Sequence, residues 1–326
     1  MNAADIGGKT LRRSVQPERK ARRRRRGRLV PILMVLPSFV AIAIFVYGFI
    51  GWSGYVSFTD WNTLARNLDF AGWKNYLFLF QDFRFQSDLR NTFVFTLLFI
   101  AVTISFGLLL AMLVDRKIRA ESLFRNIFIF PMALSFIVTG VVWQWILNPS
   151  TGVNLILKAI GLTDVPKWYV STGIIPGFRF GQIELGLPVA LIAVVIATVW
   201  QLSGFAMAMY LAGLRGIPEE WKEAARVDGA GEWTIFRRIL LPQLRPITVS
   251  LIIMLTHISL KIFDLIYAMT GPGAMFVTDM PGVYMFETTF RGNHYAQGAA
   301  ISMVMLVLIS LLIVPYLLSS MRKEEA

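Results

Sequence analysis

The stretch that decides the fold is 216–230, which reads GIPEEWKEAARVDGA. Pro218 suits the first turn of a helix, where a backbone N–H has no intrahelical partner. The two glutamates that follow it would lie at the positive end of the helix dipole. Gly229 can adopt the left-handed backbone conformation that commonly ends a helix. The stretch therefore predicts a short helix over about Pro218–Asp228.

One face of this predicted helix combines small side chains with one aromatic ring. The spacing i, i+3, i+4, i+7 places the following residues on it: Trp221, Ala224, Ala225 and Asp228. Two adjacent alanines form a flat surface that another protein could approach closely. Downstream, residues 233–241 form an apolar group interrupted by Arg237 and Arg238. Pro242 and Pro246 then mark the return to a long apolar run.

Apolar runs long enough to cross a membrane lie on both sides of this segment. A bilayer-spanning helix needs about 20 predominantly apolar residues. The runs of that length are 30–52, 92–114, 126–147, 187–211, 247–269 and 296–319. The chain has 326 residues with a mean hydropathy of +0.59, and 16% of them are charged, against about 25% in soluble domains. These features predict an all-α membrane protein with about six transmembrane helices.

The distribution of Lys and Arg predicts the orientation of these spans. The segments on one side of the membrane hold 23 of these residues, and the segments on the other side hold 8. Because cytoplasmic segments are enriched in Lys and Arg, both termini and the loop 212–246 are predicted to be cytoplasmic. The predicted organisation is a basic tail (1–29), a transmembrane domain (30–320) and a short tail (321–326). The net charge of +12 is thus explained by membrane topology and an anionic lipid surface, and no nucleic-acid partner is predicted.

The sequence gives little or no support for a metal site, a bound cofactor or ATP hydrolysis. There is no cysteine, and the only histidines are His257 and His294, so no metal site or bound cofactor is predicted. Gly8–Thr10 looks like the end of a phosphate-binding loop, but the first glycine of that motif would fall at Ala3 and no strand precedes it. The chain is therefore predicted not to be an enzyme and not to hydrolyse ATP.

The segment 212–246 resembles a known family motif. Glu223–Ala225, Gly229 six residues after the glutamate, and Ile239–Pro242 are similar to the EAA loop of permease subunits of binding-protein-dependent ABC importers. The resemblance implies a MetI/MalF-like ABC importer permease fold with a cytoplasmic coupling helix that docks into a cleft of an ATPase subunit. The coupling residues that it implies are Trp221, Glu223, Ala224, Ala225, Asp228 and Gly229.

Shorter motifs elsewhere extend this resemblance to the sugar permeases. They are Ser57–Trp61, Asn91–Thr92, Phe130–Ser135, Trp143–Pro149 and Thr270–Gly273. They resemble the MalF-type subunit, which implies a MalG-like second permease, an ATP-binding-cassette ATPase dimer that binds ATP and Mg²⁺, and an extracytoplasmic sugar-binding protein. The implied location is the cytoplasmic (inner) membrane of a bacterium or archaeon. His257, Lys261, Phe263, Asp264 and the 280–281 region look most like permeases for glucose, mannose and related glucosides.

Charged residues inside the fifth apolar run indicate a candidate substrate path. A charge at a helix centre costs about 2.5–3.5 kcal/mol on insertion scales, so Lys261 and Asp264 are expected to face the bundle. They recur with His257 at i, i+4 and i+7, so the three are predicted to share one face and could bond sugar hydroxyls. Weaker candidates are Gln201, Gln144 and Asn148, with Trp200 and Trp143 as stacking surfaces. The polar residues could instead pair with one another, pair with a partner subunit, or hold helices together.

Other cargoes and other classes of membrane protein are alternatives to a sugar importer. The cargo could be an α-glucoside, another oligosaccharide or a polyol. An ion-coupled secondary transporter could use Lys261 and Asp264 as a proton relay, although no internal repeat typical of such folds is evident. A membrane-embedded enzyme would need a nucleophile motif around Ser203 or His257, and the sequence contains none. The coupling motif favours the ABC permease over both of these classes.

Overall fold

The computed structural model describes residues 33–116 and 120–324 of the protein. The predicted tail 1–29 lies outside the described residues, as do the last two residues of the predicted tail 321–326. The described residues divide into two compact units, with the boundary between Trp52 and Ser53. The first unit contains most of helix α1 (Leu33–Ser57), and the remaining elements belong to the second.

The second unit is mainly helical and contains one small β-hairpin. Its helices before the hairpin are α2 (Lys74–Gln81), α3 (Phe83–Asp115), α4 (Glu121–Ile129, continued by the 3₁₀ turn Phe130–Ala133), α5 (Phe136–Ile146) and α6 (Val153–Ala159). The hairpin strands are β1 (Ile174–Phe180) and β2 (Ile183–Pro188). The helices after it are α7 (Val189–Arg215), α8 (Glu219–Val227), α9 (Glu232–Gln243), α10 (Arg245–Leu260), α11 (Asp264–Met269), α12 (Pro281–Phe286, continued by the π-helical turn Glu287–Arg291) and α13 (Tyr295–Glu324).

Four described helices are long and apolar enough to cross a membrane. They are α1, α3, α7 and the stretch Tyr295–Pro315 of α13. Two bent pairs also qualify if each pair counts as one span: α4 with α5, bent by 103°, and α9 with α10, bent by 61°. The number of spans is therefore four to six, which agrees with the prediction of about six and with a mostly helical fold.

The third predicted run, 126–147, is sharply bent rather than straight. The chain is extended at Leu134 and Ser135, with ψ of 147° and 153°. Ser135 restarts the helix, because its hydroxyl accepts a hydrogen bond from the Val138 N–H at 3.3 Å. The Leu134 carbonyl, which has no helical partner at the bend, accepts a bond from Gln201 Nε2 at 2.8 Å. A break at membrane depth is tolerated when its backbone groups are satisfied in this way.

The fifth predicted run, 247–269, is not a single helix, and this prediction was wrong. Helix α10 ends at Leu260, the chain is irregular over 261–263, and α11 begins at Asp264. The break turns Ile262 into the core, where it is 6% exposed, and leaves both Lys261 and Asp264 exposed. Because an unpaired charge is costly to bury, the break lets the apolar side chains be buried without the charged ones.

The β-hairpin between α6 and α7 was not expected from an all-helical prediction. Its strands pair antiparallel from Ile174 with Pro188 to Phe180 with Ile183, with an irregularity between Ile175 and Phe178. A two-residue turn joins them, in which Gly181 has φ of +62°. Such short turns with positive φ match the right-handed twist of paired strands. The hairpin therefore extends the segment before α7 without adding a span.

Helix α7 lies at the centre of the core. Of the residues in the apolar, membrane-length stretch of α7, 72% are buried, against 33% for the corresponding stretch of α3 and 18% for that of α13. Phe95 and Phe99 of α3 pack with Val194 and Leu202 of α7. Farther along, a Cβ added to Gly107 would lie 2.5 Å from the Cβ of Ala206, so the α3–α7 crossing requires glycine. Small residues at such crossings let membrane helices approach closely.

Candidate functional site

The short helix predicted over 218–228 is present as α8, and its ends follow the sequence signals. Pro218 precedes the first helical residue, Glu219. Gly229 has φ of +80°, and its N–H donates to the Arg226 carbonyl at 3.0 Å while the Ala230 N–H reaches the Ala225 carbonyl at 2.9 Å. This pair of bonds closes the helix in the manner expected of a C-terminal glycine.

All six predicted coupling residues are at least partly accessible. Trp221, Glu223, Ala224, Asp228 and Gly229 are exposed and Ala225 is half-buried. Val227 beside them is 87% exposed and Trp221 is 49% exposed. Exposed apolar side chains such as these are surface that a partner protein could cover. The arrangement is suited to docking by small and aromatic side chains.

The segment after α8 anchors it to the bundle. Ile235 in α9 is 2% exposed and Leu244, between α9 and α10, is fully buried. Trp233 is 70% exposed, and its ring lies 5.4 Å from that of Phe236. The apolar group predicted at 233–241 thus has two parts. Ile235 is buried in the bundle, whereas Trp233 is a second exposed aromatic side chain, close to α8 in the sequence.

The three candidates on the fifth run are not arranged as predicted. His257 lies in the last turn of α10 and is half-buried. Its Nδ1 is buried without a hydrogen-bond partner among the described residues. Lys261 lies in the helix break and Asp264 follows it, so the i, i+4, i+7 argument for a common face with His257 does not apply. Both charged side chains are exposed on the surface of this chain.

The weaker candidates lie closer together. The rings of Trp143 on α5 and Trp200 on α7 are 5.8 Å apart and nearly perpendicular, at 69°, a favourable edge-to-face geometry. The Nε1 of Trp143 and the Oε1 of Gln201 are buried and lack hydrogen-bond partners among the described residues. Unsatisfied polar atoms of this kind are rare in folded proteins, and they could bond a polar ligand.

Gln144 and Asn148 lie at the end of α5, where the backbone of the first and the side chain of the second accept hydrogen bonds. The Asn148 side chain accepts a hydrogen bond from the Ser150 N–H at 2.9 Å. The Gln144 carbonyl accepts one from the Tyr169 hydroxyl at 3.4 Å, and burial raises the pKa of that tyrosine. These contacts stabilise the turn that follows α5; Asn148 contributes its side chain to them, whereas Gln144 contributes only its backbone carbonyl.

A buried charge cluster at the start of α3 was missed by the sequence analysis. Arg84 Nε lies 2.5 Å from Asp279 Oδ2, and Arg84 Nη2 lies 2.7 Å from Glu287 Oε2. The fully buried Asp88 adjoins this cluster. Burial raises the pKa of Asp279, although Arg84 acts in the opposite direction. We call Arg84, Asp88, Asp279 and Glu287 the α3 cluster.

The sequence contained only a partial signal for this region. Asn91 belonged to one of the motifs, and its side-chain Nδ2 donates to the carbonyls of Phe276 at 2.7 Å and Asp279 at 2.9 Å. Its partners are 185 and 188 residues away along the chain. Local spacing cannot identify such pairs.

Comparison with known proteins gives one family and a set of relatives. Residues 103–323 match the family model described as "Binding-protein-dependent transport system inner membrane component". A Pyrococcus horikoshii protein named as a probable ABC transporter permease is 38% identical over 90% of this chain and 96% of its own. The xylose/arabinose import permease XacH of Haloferax volcanii is 34% identical over 86% and 84%. The glucose import system permease GlcT of Saccharolobus solfataricus is 28% identical over 90% and 96%.

A solved structure has the same fold. A chain in the crystal structure of a bacterial ABC transporter that imports the acidic polysaccharide alginate superposes with a TM-score of 0.74. The superposition covers 93% of this chain and 99% of that chain, at 22% sequence identity. The likeness confirms the predicted MetI/MalF-like ABC importer permease fold.

Proposed function

We infer the function of this chain from one premise, which is that it belongs to the family of binding-protein-dependent transport system inner membrane components. Members of this family are transport subunits, so the chain is not an enzyme. ATP and Mg²⁺ belong to a separate ATPase chain. The several apolar helices make it a multi-pass membrane protein.

The chain is proposed to be the permease subunit of an ABC importer that moves a sugar across the cytoplasmic membrane of a bacterium or archaeon. It acts with a MalG-like second permease, an ATPase dimer and an extracytoplasmic sugar-binding protein. ATP binding closes the ATPase dimer, and α8 transmits that motion to the membrane helices, which alternately open to either side. The excess of Lys and Arg in 212–246 and 1–29 over the opposite segments supports cytoplasmic placement of α8 and both termini.

The observation that carries this proposal is the accessible surface of α8. The helix is held between the membrane helices α7 and α10 by buried anchors, while Trp221 and Val227 remain exposed. Exposing these apolar side chains to water is unfavourable in free energy, and a partner that covers them would remove that apolar surface from water. The proposed partner is the ATPase subunit.

The docking role can be tested by cross-linking. Because the chain has no cysteine, a single cysteine at Ala225 is a clean probe, and we expect it to cross-link to the ATPase in the assembled complex. Gly229→Pro should abolish uptake, because proline cannot adopt the φ of +80° and its nitrogen cannot donate to Arg226. Glu223→Lys should also abolish uptake while the chain still inserts in the membrane.

A matched glycine pair provides the control for this experiment. Neither Gly229 nor Gly231 has a neighbour within 4 Å of an added Cβ, but only Gly229 has positive φ. Gly229→Ala should therefore reduce uptake and Gly231→Ala should not. If no cross-link forms and Gly229→Pro transports normally, α8 has no coupling role.

The proposed cargo is a monosaccharide of the glucose or mannose type. The glucose import permease of Saccharolobus solfataricus supports this choice, whereas the Haloferax relative is named for xylose and arabinose. The buried Trp143 Nε1 and Gln201 Oε1 offer a donor and an acceptor beside two aromatic rings. An α-glucoside, another oligosaccharide or a polyol is the alternative cargo.

Asp264 is proposed to face the translocation path from the exposed start of α11. Asp264→Asn should weaken uptake several-fold while the complex still assembles, because the amide retains one acceptor and loses the charge. Asp164→Asn, which changes another exposed aspartate outside α10 and α11, is the matched control. The cargo is identified by measuring which of glucose, mannose, xylose and maltose competes for uptake. If the Asp264→Asn variant takes up sugar as fast as the parent protein, Asp264 does not face the translocation path.

A further inference from the structure

Helix α8 has a second face, which is charged. Glu219, Lys222 and Arg226 follow i, i+3, i+7 spacing and therefore share one side of the helix. The Lys222 side chain is only 12% exposed, although no residue of α8 is fully buried. The bundle therefore covers Lys222, whereas the Glu219 and Arg226 side chains remain 59% and 47% exposed.

Lys222 begins a chain of ionised side chains that reaches the ends of three other helices. Its Nζ donates a hydrogen bond to Glu219 Oε2 on the same helix at 2.9 Å, and it also lies 3.9 Å from Oδ2 of Asp115, the last residue of α3. Asp115 Oδ1 lies 4.0 Å from Nε of Arg215, the last residue of α7. Arg215 Nη2 lies 2.5 Å from Oε1 of Glu121, the first residue of α4. We call Lys222, Asp115, Arg215 and Glu121 the α8 relay.

Asp115 occupies an unusual position within this relay. The C-terminal end of a helix carries a partial negative charge, so an acidic side chain there is unfavourable. Arg215 at the end of α7 and Glu121 at the start of α4 are, by contrast, favourably placed for their own helices. The negative charge at the end of α3 is thus compensated by cations from α7 and α8, and its free energy depends on where those helices lie.

The space around the relay allows α8 to move. A cavity of about 1010 Å³ lies between α8 and the ends of the membrane helices, lined among others by Asp115, Arg215 and Lys222. The Asp115 side chain is 26% exposed and that of Arg215 is 43% exposed. Because these charges are already partly in water, they can exchange partners without the desolvation cost of a buried pair.

We propose that Asp115 is a positioning residue, through which Lys222 and Arg215 convert a displacement of α8 into a displacement of α3 and α7. The proposal rests on the proposed function, since α8 is displaced only when an ATPase subunit docks on it. It differs from the docking role because none of the relay residues belongs to the exposed small and aromatic face.

The test measures the amount of sugar transported per ATP hydrolysed in proteoliposomes that contain the complete importer. Asp115→Asn and Lys222→Met should each lower this ratio about fivefold or more, the size typical of coupling between sites. The complex should still assemble and hydrolyse ATP. The double variant should be no worse than either single variant, because the two residues act through one contact.

Charge-conserving variants separate coupling from folding. Lys222→Arg keeps the cation and should restore most of the ratio, whereas Glu220→Gln changes a charge on another side of α8 and should leave it unchanged. Additive effects, a parental ratio in Asp115→Asn, or loss of the ATPase from the purified Lys222→Met complex would overturn the proposal. Absence of ATP-dependent transport in the parent importer would instead refute the proposed function itself.

Discussion

Two networks of ionised side chains among the described residues differ mainly in burial. In the α3 cluster the Asp279 side chain is fully buried and those of Arg84 and Glu287 are 16% and 19% exposed. In the α8 relay the exposed fractions range from 12% at Lys222 to 43% at Arg215. Both networks join residues from several helices, so the type of interaction does not distinguish them.

The difference in burial indicates different physical roles. Arg84 is enclosed by aromatic rings as well as by carboxylates, with its guanidinium carbon 4.4 Å from the ring centroid of Tyr284 and 4.9 Å from that of Phe276. A charge in such surroundings is expensive to leave unpaired, so the cluster holds α3 and the 276–287 segment in one arrangement. The partly hydrated relay can change partners at low cost, and it lies next to the surface proposed to receive the ATPase.

The largest expected effect is that of removing Arg84. Arg84→Met should lower the free energy of unfolding by about 3–5 kcal/mol, the usual cost of breaking a buried ion pair, because it leaves buried carboxylates without their cation. Thermal or chemical unfolding of the purified chain in detergent measures it.

The matched control lies in the hairpin. Arg179 forms a pair with Glu184 at 3.9 Å, but its side chain is 85% exposed. Arg179→Met should therefore change stability by less than about 0.5 kcal/mol, since exposed pairs contribute little. Equal effects of the two substitutions would contradict the distinction between the networks.

A smaller effect is expected from pH. Burial raises the pKa of Asp279 despite the opposing effect of Arg84, so the folded chain holds this proton more tightly than the unfolded chain. The associated stabilisation is present below the ordinary aspartate pKa of about 4 and is lost as the pH rises through the raised pKa. Unfolding measured across this range should show stability falling with pH.

The variant Asp279→Asn separates this residue from the other acids. It removes the titrating group, so its stability should fall less steeply with pH than that of the parent. Asp88, Glu287 and Arg84 surround the site and remain in the variant, so some pH dependence should persist. Identical slopes in parent and variant would show that Asp279 does not titrate in this range.

The smallest effect is expected on the water-exposed side of α8. Arg226 Nε bonds Glu232 at 3.0 Å, and this bond raises the pKa of Arg226. Both side chains are largely in water, where screening removes most of the gain. Arg226→Gln should leave the melting temperature unchanged, and a clear fall would mean that the exposed pairs of α8 also stabilise the fold.

The sequence predicted α8 well because its signals are local. Pro218, the glutamates after it and Gly229 each act on the backbone within one or two turns, so their spacing is sufficient to place both ends of the helix. The membrane spans were likewise predictable from hydropathy, because hydrocarbon excludes charged and unpaired polar groups. These features also carried the resemblance that the family match confirmed.

Helix breaks were not predictable by the same means. The bend after Ala133 depends on Gln201, which satisfies the Leu134 carbonyl from another helix. The break after Leu260 depends on the burial of Ile262. Hydropathy averaged over about 20 residues does not detect either helix break. The argument that His257, Lys261 and Asp264 share one face therefore assumed a continuous helix that the structure does not have.

By itself, the sequence determined that this chain crosses a membrane, that a short helix with a small, exposed face lies between two of its spans, and which family it resembles. Only the tertiary structure decided which charges meet. Arg84 and Asp279 are separated by 195 residues and Asp115 and Lys222 lie on different helices. Long-range electrostatic pairing depends on distance in space and on burial, and neither quantity is encoded in local spacing.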